Sequence, residues 1–347
     1  DAVAVSGYFS PLNPEHEQRA FEAISSVCDL PVVLGHQLST KLGSVERATT
    51  AALNASLLAV LKEFVIAVRR AMEHRRIKAP LMVVRGDGTL MSDEFAAKTP
   101  VETIHSGPAA SAIGGRFLSQ LDEALVVDVG GTTTDIALVE NGQVAVNEEG
   151  ATVADYKTAV KAANLFSIAL GGDSHITPDG ENRIIIGPQR VTPLAYLADQ
   201  FPDIRSHLMA LSQRSDAHLA AEWLEYWYLL RDPGDANWLQ TGQEKELVDF
   251  LTAGPRPLPE ILTHLNLFSK VQISTDNLLR REIIGKSALT PTDLLHVEGR
   301  HNAWDVQAAC LALEIFCRSL RYDPAAFRER IWSQMTATIV HAIVTFL

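Results

Sequence analysis

The segment from Ala124 to Val139 constrains the fold of this chain more than any other part of the sequence. It reads Ala-Leu-Val-Val-Asp-Val-Gly-Gly-Thr-Thr-Thr-Asp-Ile-Ala-Leu-Val, so a tight turn with two glycines separates two short runs rich in Val, Ile and Leu. Such runs, bounded by turn residues, are typical of buried β-strands. The sequence therefore predicts an antiparallel β-hairpin, with strands over 124–129 and 136–139, that extends to about residue 146.

The turn has the composition of an anion-binding site. Gly130 and Gly131 let the backbone come close to a ligand where a Cβ atom would clash. The amides of the turn are suited to surround phosphate oxygens, together with the hydroxyls of Thr132, Thr133 and Thr134. The residues alone leave open an alternative, an ordinary hairpin in which threonine occurs because it is common in sheets.

Two carboxylates, Asp128 and Asp135, flank this turn in the sequence. A carboxylate beside a phosphate repels it unless a cation lies between them. The pair therefore predicts a Mg²⁺ ion held partly through water, because this ion gives up its waters reluctantly. Both aspartates are candidate catalytic residues, and Asp128 is the candidate metal ligand.

The Asp-Val-Gly-Gly-Thr-Thr-Thr-Asp segment resembles the phosphate loop of the actin, sugar-kinase and chaperone ATPase superfamily, and specifically that of the hydantoinase/oxoprolinase family, of the hydantoinase A type. Four further segments resemble elements of this family in the same order along the chain: Ser10-Pro-Leu-Asn-Pro-Glu-His-Glu17; Glu46-Arg47 with Thr49, Thr50 and Asn54; Arg85-Gly-Asp-Gly-Thr-Leu-Met-Ser92; and Thr103-Ile-His-Ser-Gly-Pro-Ala-Ala-Ser-Ala-Ile-Gly-Gly115. The resemblance extends over roughly the first half of the chain.

Departures from the family pattern begin after the loop. The family usually has a Gly-Gly-Gly-Ser turn, whereas this chain has Leu170-Gly-Gly-Asp-Ser-His175, so Asp173 replaces a glycine. A Gly-Gly turn after an apolar run also resembles the adenosine-contacting element of the superfamily; a plain loop glycine pair is the alternative. The candidate nucleotide contacts in this turn are Gly171, Gly172 and Ser174. From about Ala195 onward the chain shows no pattern of the family.

The part of the chain before the loop has the alternating pattern of an α/β fold. Strand-type segments over 1–6, 31–34 and 81–84 alternate with helices that begin near Pro14 and span Val45 to about His74. This alternation predicts a mostly parallel sheet covered by helices, with 81–84 as a parallel strand. Together with the resemblance, it implies an actin-like (ribonuclease H-like) ATPase lobe with a mixed sheet.

The sequence changes character beyond Pro193. Apolar residues over 206–230, among them Tyr226 and Trp227, recur at spacings of three and four, which predicts a helical stretch with aromatic core residues. Helices are also predicted over 271–285 and 303–320, and a stiff proline-rich connector over 254–259. This region is therefore expected to be mostly α-helical.

These patterns predict three regions. They are an α/β region of the hydantoinase A type over 1–120, the phosphate-loop hairpin and actin-like lobe over 121–192, and the helical region over 193–347. The resemblance also implies a further N-terminal lobe, with its own phosphate loop, which this sequence does not contain.

Charge and composition argue against several partners. The formal net charge of −12 disfavours nucleic-acid binding, which needs a basic face. The final apolar run, over 331–347, is short for a bilayer span. The three cysteines, Cys28, Cys310 and Cys317, are too few and too scattered for a disulfide framework and are expected to be reduced and buried. We therefore expect a cytoplasmic protein without nucleic-acid or membrane partners.

The family resemblance implies a reaction in which ATP phosphorylates the carbonyl oxygen of a cyclic amide of the hydantoin or 5-oxoproline type, which opens the adjacent C–N bond to hydrolysis. The loop would hold the β and γ phosphates, and Asp128 and Asp135 would organise Mg²⁺ or the attacking group. Besides a small-molecule substrate, a second hydantoinase/oxoprolinase subunit or domain is expected as a partner. Two alternatives remain, a small-molecule kinase of the same superfamily and a noncatalytic nucleotide-binding or structural relative.

Overall fold

The chain divides into two compact units in its computed structural model, which describes residues 1–153, 156–181, 183–215, 219–234 and 241–347. The first unit comprises Asp1–Asp128 and Asp135–Phe166, and the second comprises Val129–Thr134 and Ser167–Leu347. Both contain helices and strands, so the mixed α/β class is as predicted. The loop residues 129–134 belong to the second unit, whereas the flanking aspartates belong to the first. The predicted region boundaries after 120 and 192 stay a prediction.

The first unit begins with alternating strands and helices. Its elements up to the loop are β1 (Val3–Val5), α1 (Glu15–Ser25), β2 (Val32–Leu34), α2 (Gly35–Leu38), α3 (Ser44–His74), β3 (Met82–Val84), β4 (Leu90–Ser92), α4 (Asp93–Lys98), a 3₁₀ turn at Pro100–Thr103, α5 (Ser106–Ser119) and β5 (Ala124–Val129). β1 and β2 pair in parallel, with Ala4 opposite Val33. The predicted helices near Pro14 and over 45–74 are thus confirmed as α1 and α3.

The strand predicted over 81–84 is present as β3, but its predicted parallel pairing is wrong. β3 pairs antiparallel with β4, with Val83 opposite Met91. In the turn between them Gly88 has a φ of 84°, and Asp87 accepts hydrogen bonds from the amide and the hydroxyl of Thr89 at 2.9 and 2.6 Å. Because this Asp-Gly turn closes a local hairpin, the strand needs no helical crossover to find its partner.

Helix α3 packs on the N-terminal strands through one face. Its buried residues Arg47, Thr50, Ala51 and Asn54 recur at spacings of three and four, as on one side of a helix. Among the helices of the described ranges, α3 is the one whose length and apolar composition would allow a membrane span, by those two criteria alone. Because α3 contacts β1 and β2, its buried face packs within the first unit.

The loop connects two strands of a four-stranded sheet. The remaining strands up to the second glycine turn are β6 (Thr134–Glu140), β7 (Gln143–Val144), β8 (Val146–Asn147), β9 (Thr152–Val153), β10 (Tyr156–Lys157), β11 (Ala162–Ala163) and β12 (Leu165–Ile168). The order is β12-β6-β5, and β7 pairs antiparallel with β6. The predicted strands on either side of the turn are confirmed as β5 and β6, and Ile136 and Val139 are fully buried.

The second unit contains most of the helices beyond the loop. Its elements are β13 (Ser174–Pro178), β14 (Ile184–Arg190), β15 (Thr192–Pro193), α6 (Leu194–Gln200), α7 (Asp203–Ser212), β16 (Tyr226–Leu229), α8 (Gly242–Leu251), β17 (Arg256–Pro257), α9 (Leu258–His264), α10 (Asp276–Arg280), β18 (Ile284–Ala288), α11 (Pro291–Val297), α12 (Val306–Leu320) and α13 (Pro324–Phe346). The helix predicted over 303–320 is confirmed as α12. The region is largely helical, but it also contains an unpredicted sheet with the order β15-β18-β16-β17.

The aromatic stretch over 206–230 is mostly not a helix. Helix α7 ends at Ser212 and β16 begins at Tyr226, while residues 216–218 of the predicted helix lie outside the described residues. β16 is an inner strand between β18 and β17. Its consecutive residues Tyr226, Trp227 and Tyr228 are all buried, so both of its faces are covered and its apolar residues run without a break. A continuous apolar run also contains apolar residues three and four positions apart, so it is easily mistaken for one face of a helix. The predicted burial of Tyr226 and Trp227 is confirmed, at 1% exposure each.

Two other predictions in this region are wrong. The segment 271–285 contains the short helix α10 and the start of β18 rather than one helix. The proline-rich segment 254–259 forms β17 and the first turn of α9. Pro257 is tolerated because β17 is an edge strand, and Pro259 because the first turn of a helix leaves its amides unpaired. The three cysteines form no disulfide. The expected burial holds for Cys317, whereas Cys28 is half-buried and Cys310 is exposed.

Candidate functional site

The predicted phosphate loop packs against the second glycine turn, and both lie in the second unit. The amide of Gly172 donates to the carbonyl of Gly130 at 2.9 Å, and the amide of Asp173 donates to the carbonyl of Gly131 at 2.7 Å. A Cβ atom on Gly171 would lie 2.5 Å from the carbonyl oxygens of Gly130 and Gly131. Glycine at 171 is therefore required for the two turns to approach this closely.

Some polar groups of the two turns already have partners inside the protein. The amide of Gly130 donates to the carbonyl of Thr133 at 2.9 Å, and the buried hydroxyl of Thr134 donates to the carbonyl of Leu170 at 2.7 Å. The hydroxyl of Ser174 accepts from the amide of Gly171 at 2.9 Å. These bonds give Gly130, Thr134 and Ser174 a structural role, and their predicted contacts with a nucleotide stay predictions.

The centre of the loop is open. Gly131 and Thr132 are exposed, and within the described part of the chain their amides meet no hydrogen-bond acceptor. Two adjacent backbone amides at an exposed turn form the kind of concavity that binds anions. The part of the loop best placed to contact phosphate oxygens is therefore its middle rather than its ends.

A threonine that the sequence did not single out anchors the second turn. The amide and the hydroxyl of Thr292 both donate to the carbonyl of Gly172 at 2.8 Å. The same hydroxyl lies 3.3 Å from Oδ1 of Asp173. Thr292 is in the first turn of α11, where Thr290 forms a capping box with Asp293 and Pro291 starts the helix. The Thr-Pro-x-Asp pattern is a recognisable helix-start signal, although it does not reveal the contact with the turn.

The buried side chain of Asp293 fixes the helix start that carries Thr292. Its carboxylate accepts from the amides of Leu194 and Ala195 at 3.2 and 2.7 Å, and from the hydroxyl of Thr290 at 2.8 Å. Burial raises the pKa of Asp293 to about 6, against the effect of these hydrogen bonds. One side chain thus links the starts of α6 and α11, and it fixes the helix that carries Thr292.

The carboxylate of Asp173, in the second turn, lies beside the loop and pairs with the guanidinium of Arg190, at the end of β14. Oδ2 of Asp173 lies 2.7 Å from the position that a Cβ atom on Gly131 would take. Nη2 and Nε of Arg190 lie 3.3 and 3.4 Å from the same oxygen. The side chain of Asp173 is 17% exposed and that of Arg190 is 63% exposed. The sequence indicated Asp173 only as a departure from the family pattern, and it gave no sign of Arg190.

The two predicted catalytic aspartates are half-buried and lie in the first unit. In the same unit His105 precedes α5 in a left-handed conformation, with a φ of 63°. Burial lowers the pKa of His105, and the nearby carboxylate of Asp135 partly opposes this effect. The described residues include no group of three or more His, Cys, Asp or Glu side chains that would hold a metal ion. Mg²⁺ bound to a nucleotide does not need such a cage, since one or two carboxylates, phosphates and water are its usual ligands.

Comparison with known proteins shows which family part of the chain resembles. Residues 47–196 match the hydantoinase/oxoprolinase family. The chain is 27% identical over 192 residues to the caprolactamase subunit alpha of Pseudomonas jessenii, and this match covers 54% of the chain and 27% of that subunit. It is 30% identical over 199 residues to the acetophenone carboxylase gamma subunit of Aromatoleum aromaticum, with coverage of 54% and 27%.

Among solved structures, the chain is similar to nucleotide-free acetone carboxylase, with 22% identity, a TM-score of 0.49, and coverage of 62% of this chain and 32% of that one. It is also similar to the ATP-dependent caprolactamase of Pseudomonas jessenii, with 26% identity, a TM-score of 0.44, and coverage of 56% and 29%.

The matched region contains both glycine turns and four of the five motifs in whole or in part. The chain spans less than a third of the length of the curated relatives that it matches. The resemblance predicted from the motifs is confirmed, because residues 47–196 match the hydantoinase/oxoprolinase family.

Proposed function

We propose that this chain is a subunit or fragment of an ATP-dependent enzyme that hydrolyses a cyclic amide of the hydantoin or 5-oxoproline type. The observation that carries the proposal is the joined pair of glycine turns, which leaves the amides of Gly131 and Thr132 open at an exposed loop. Two relatives support the class of substrate, since the name of one describes a lactamase and that of the other a ketone carboxylase. The lactam and the ketone in these names both contain a carbonyl group.

The proposed chemistry gives each part of the site a task. Transfer of the γ-phosphoryl group of ATP to the amide oxygen releases ADP and makes the ring carbon open to attack by water. The amides of Gly131 and Thr132 hold phosphate oxygens as charge shifts during transfer. Asp128 and Asp135 organise Mg²⁺ or position the attacking group, and Thr292 keeps the second turn against the loop. Mg²⁺, with Asp128 as its protein ligand, would neutralise charge on the triphosphate.

The proposal also includes the fold of the region around the loop, the partner and the location of the protein. The hairpin of β5 and β6 and its place in a four-stranded sheet support an actin-like (ribonuclease H-like) lobe with a mixed sheet. Three of the relatives are named as alpha, beta and gamma subunits, which supports a second hydantoinase/oxoprolinase subunit as a partner. A cytoplasmic location, and the expected lack of nucleic-acid and membrane partners, stay predictions.

The test begins with calorimetric titration of the purified protein with Mg²⁺ and ATP, followed by assays of ATP turnover with hydantoin, 5-oxoproline and caprolactam. We predict that Asp128→Ala abolishes turnover while circular dichroism and thermal unfolding stay unchanged. Asp122→Ala is the matched control, because Asp122 precedes the same strand and is 72% exposed beside Arg116. This control should retain full activity.

Each other outcome has a definite meaning. Unchanged turnover in Asp128→Ala would rule out the assignment of that residue. A stable phosphoester product, in place of an opened ring, would favour the small-molecule kinase. The absence of binding heat with ATP would favour a noncatalytic relative, an outcome compatible with the replacement of a family glycine by Asp173.

A further inference from the structure

Asp173 places a negative charge where the proposed function needs an anion to bind. Its amide is bonded to the carbonyl of Gly131, which fixes the residue beside the loop. Its carboxylate oxygen lies 2.7 Å from the Cβ position of Gly131, whose amide is one of the two open donors. A carboxylate this close to a polyphosphate disfavours its binding unless a positive charge offsets it. A glycine, usual for the family at this position, would bring no such charge.

Arg190 supplies the offsetting charge. It is the last residue of β14 and lies opposite Ser174 in the pairing of β13 and β14, so the strand register itself brings it to the second turn. Its bonds to Asp173 are long, at 3.3 and 3.4 Å, and the guanidinium is 63% exposed. An exposed ion pair of this kind contributes little to stability. Exchange of the carboxylate for a phosphate therefore costs little and gains the stronger, bidentate contact that arginine makes with phosphate.

We infer that Arg190 is the polyphosphate-binding cation of this loop, and that Asp173 is its counter-ion in the free protein, from which it is released when the anion binds. This inference rests on the proposed nucleotide site and names one of its ligand-contacting residues. The shared ligand chemistry is a chain of phosphate groups, either the tail of a nucleoside triphosphate or free pyrophosphate. The pair belongs to this chain rather than to the family pattern, because it depends on the aspartate that replaces a glycine.

The experiment compares the wild type and four variants in calorimetric titrations with three ligands: pyrophosphate with a chelator, inorganic phosphate with a chelator, and ATP with Mg²⁺. Arg190→Gln should weaken pyrophosphate and ATP binding by about 10- to 100-fold, as expected for the loss of a charge-assisted hydrogen bond. Arg190→Lys keeps the charge without the planar fork and should fall between the wild type and Arg190→Gln. Asp173→Asn should tighten metal-free pyrophosphate binding by about 3- to 10-fold, since it removes a repelling charge.

Arg183→Gln is the matched control. Arg183 lies just before the same strand, is 69% exposed and pairs with Asp179 and Glu181, away from the glycine turns. It should bind every ligand as the wild type does. Because Arg190 and Arg183 are both exposed, neither change should alter thermal unfolding by more than the scatter of the measurement.

The outcomes separate this inference from the proposed function. If the wild type binds ATP and pyrophosphate and Arg190→Gln binds both equally well, Arg190 has no such role, while the nucleotide site itself stands. An equal loss in Arg183→Gln would also overturn the inference, because the effect would then be one of net charge. If the wild type binds neither ligand, the proposed function fails and this inference with it. Binding of ATP but not of pyrophosphate or phosphate by the wild type would leave the nucleotide site intact and exclude the phosphate tail as the ligand of Arg190.

Discussion

Gly171 shows how the structure gives a motif residue a different task from the one its sequence predicts. A glycine at this place was expected to let the backbone approach a nucleoside. In the structure its missing side chain makes room for the carbonyls of Gly130 and Gly131, at 2.5 Å from the position of its Cβ atom. The partner turn is distant in the sequence, so local patterns contain no information about this contact.

This contact predicts a specific cost for a methyl group. Gly171→Ala should lower the free energy of unfolding by roughly 1–3 kcal/mol, because the two turns must separate to admit the new Cβ atom. Gly180→Ala is the control, since a Cβ atom there meets no atom within 4 Å, and it should change stability by no more than about 0.5 kcal/mol. Urea unfolding of both variants measures the difference. Equal stability of the two would contradict the packing of the turns described here.

The site could be predicted from the sequence only in part, and single residues show why. The loop itself was predicted because its glycines, threonines and flanking strands are contiguous. Thr292 and Arg190 were not, since they reach the second turn through a helix start and a strand register that the sequence does not reveal. Asp173 stood out as a departure from the family, but its pairing with a cation depends on the folded hairpin.

At the scale of elements, the charged residues of the N-terminal motifs hold loops in place. The carboxylate of Glu17, in α1, accepts from the amides of Gly7 and His36 at 2.7 and 3.0 Å. Burial opposes ionisation, but hydrogen bonds from Ser10, Gly7 and His36 lower the pKa of Glu17 below its ordinary value. From α3, the fully buried Arg47 donates to the carbonyls of Gly7, Tyr8 and Lys41 at 2.6, 2.9 and 2.7 Å.

The clamp formed by Arg47 predicts that lysine cannot replace it. Lysine has one donor centre instead of a planar fork, so Arg47→Lys should leave buried carbonyls without partners and destabilise the protein by roughly 3 kcal/mol. Hydrogen exchange should rise first at the amides of residues 7–12. The control is Arg19→Lys, because Arg19 is 72% exposed and pairs only with Glu15 among the described residues. A stable Arg47→Lys protein with unchanged exchange would show that the clamp is dispensable.

Helices and strands were predicted correctly where the sequence pattern that indicates them lies within one contiguous segment. Helices α1, α3 and α12 and the hairpin of β5 and β6 each have one buried face or a contiguous turn. Two of the failures, β3 and β16, concern strands whose pairing or burial the local pattern does not determine. β3 pairs within a hairpin instead of a parallel sheet. β16 pairs with β17 and β18, which come later in the chain, and it is buried on both faces.

At the scale of the whole molecule, three half-buried histidines are expected to make the protein sensitive to acid. Burial lowers the pKa of His105 in the first unit, and of His175 and His207 in the second. His207 is held against the hydroxyl of Tyr226, with Nδ1 and the phenolic oxygen 2.6 Å apart. The folded protein thus favours the neutral form of each ring more strongly than the unfolded chain does.

The sign of the pH dependence follows from these lowered values. The stabilisation is fully present above the ordinary histidine pKa of 6.5, and it is lost as the pH falls through the lower values of the folded protein. The midpoint of thermal unfolding should therefore fall on acidification below about pH 6.5. His207→Gln should reduce this slope, and a change at the exposed His74 should not. Identical slopes in the wild type and His207→Gln would refute the prediction.

The bonds from Thr292 to Gly172, separated by 120 positions in the chain, have a consequence for biosynthesis. A nascent polypeptide that has left the ribosome only as far as β14 already contains both glycine turns, yet it lacks the threonine that anchors the second and the buried aspartate beside it. The proposed anion-binding corner is therefore complete only once residue 292 has been synthesised. A chain that terminates before that residue would retain every motif that resembles the hydantoinase/oxoprolinase family while lacking the support that positions the second turn.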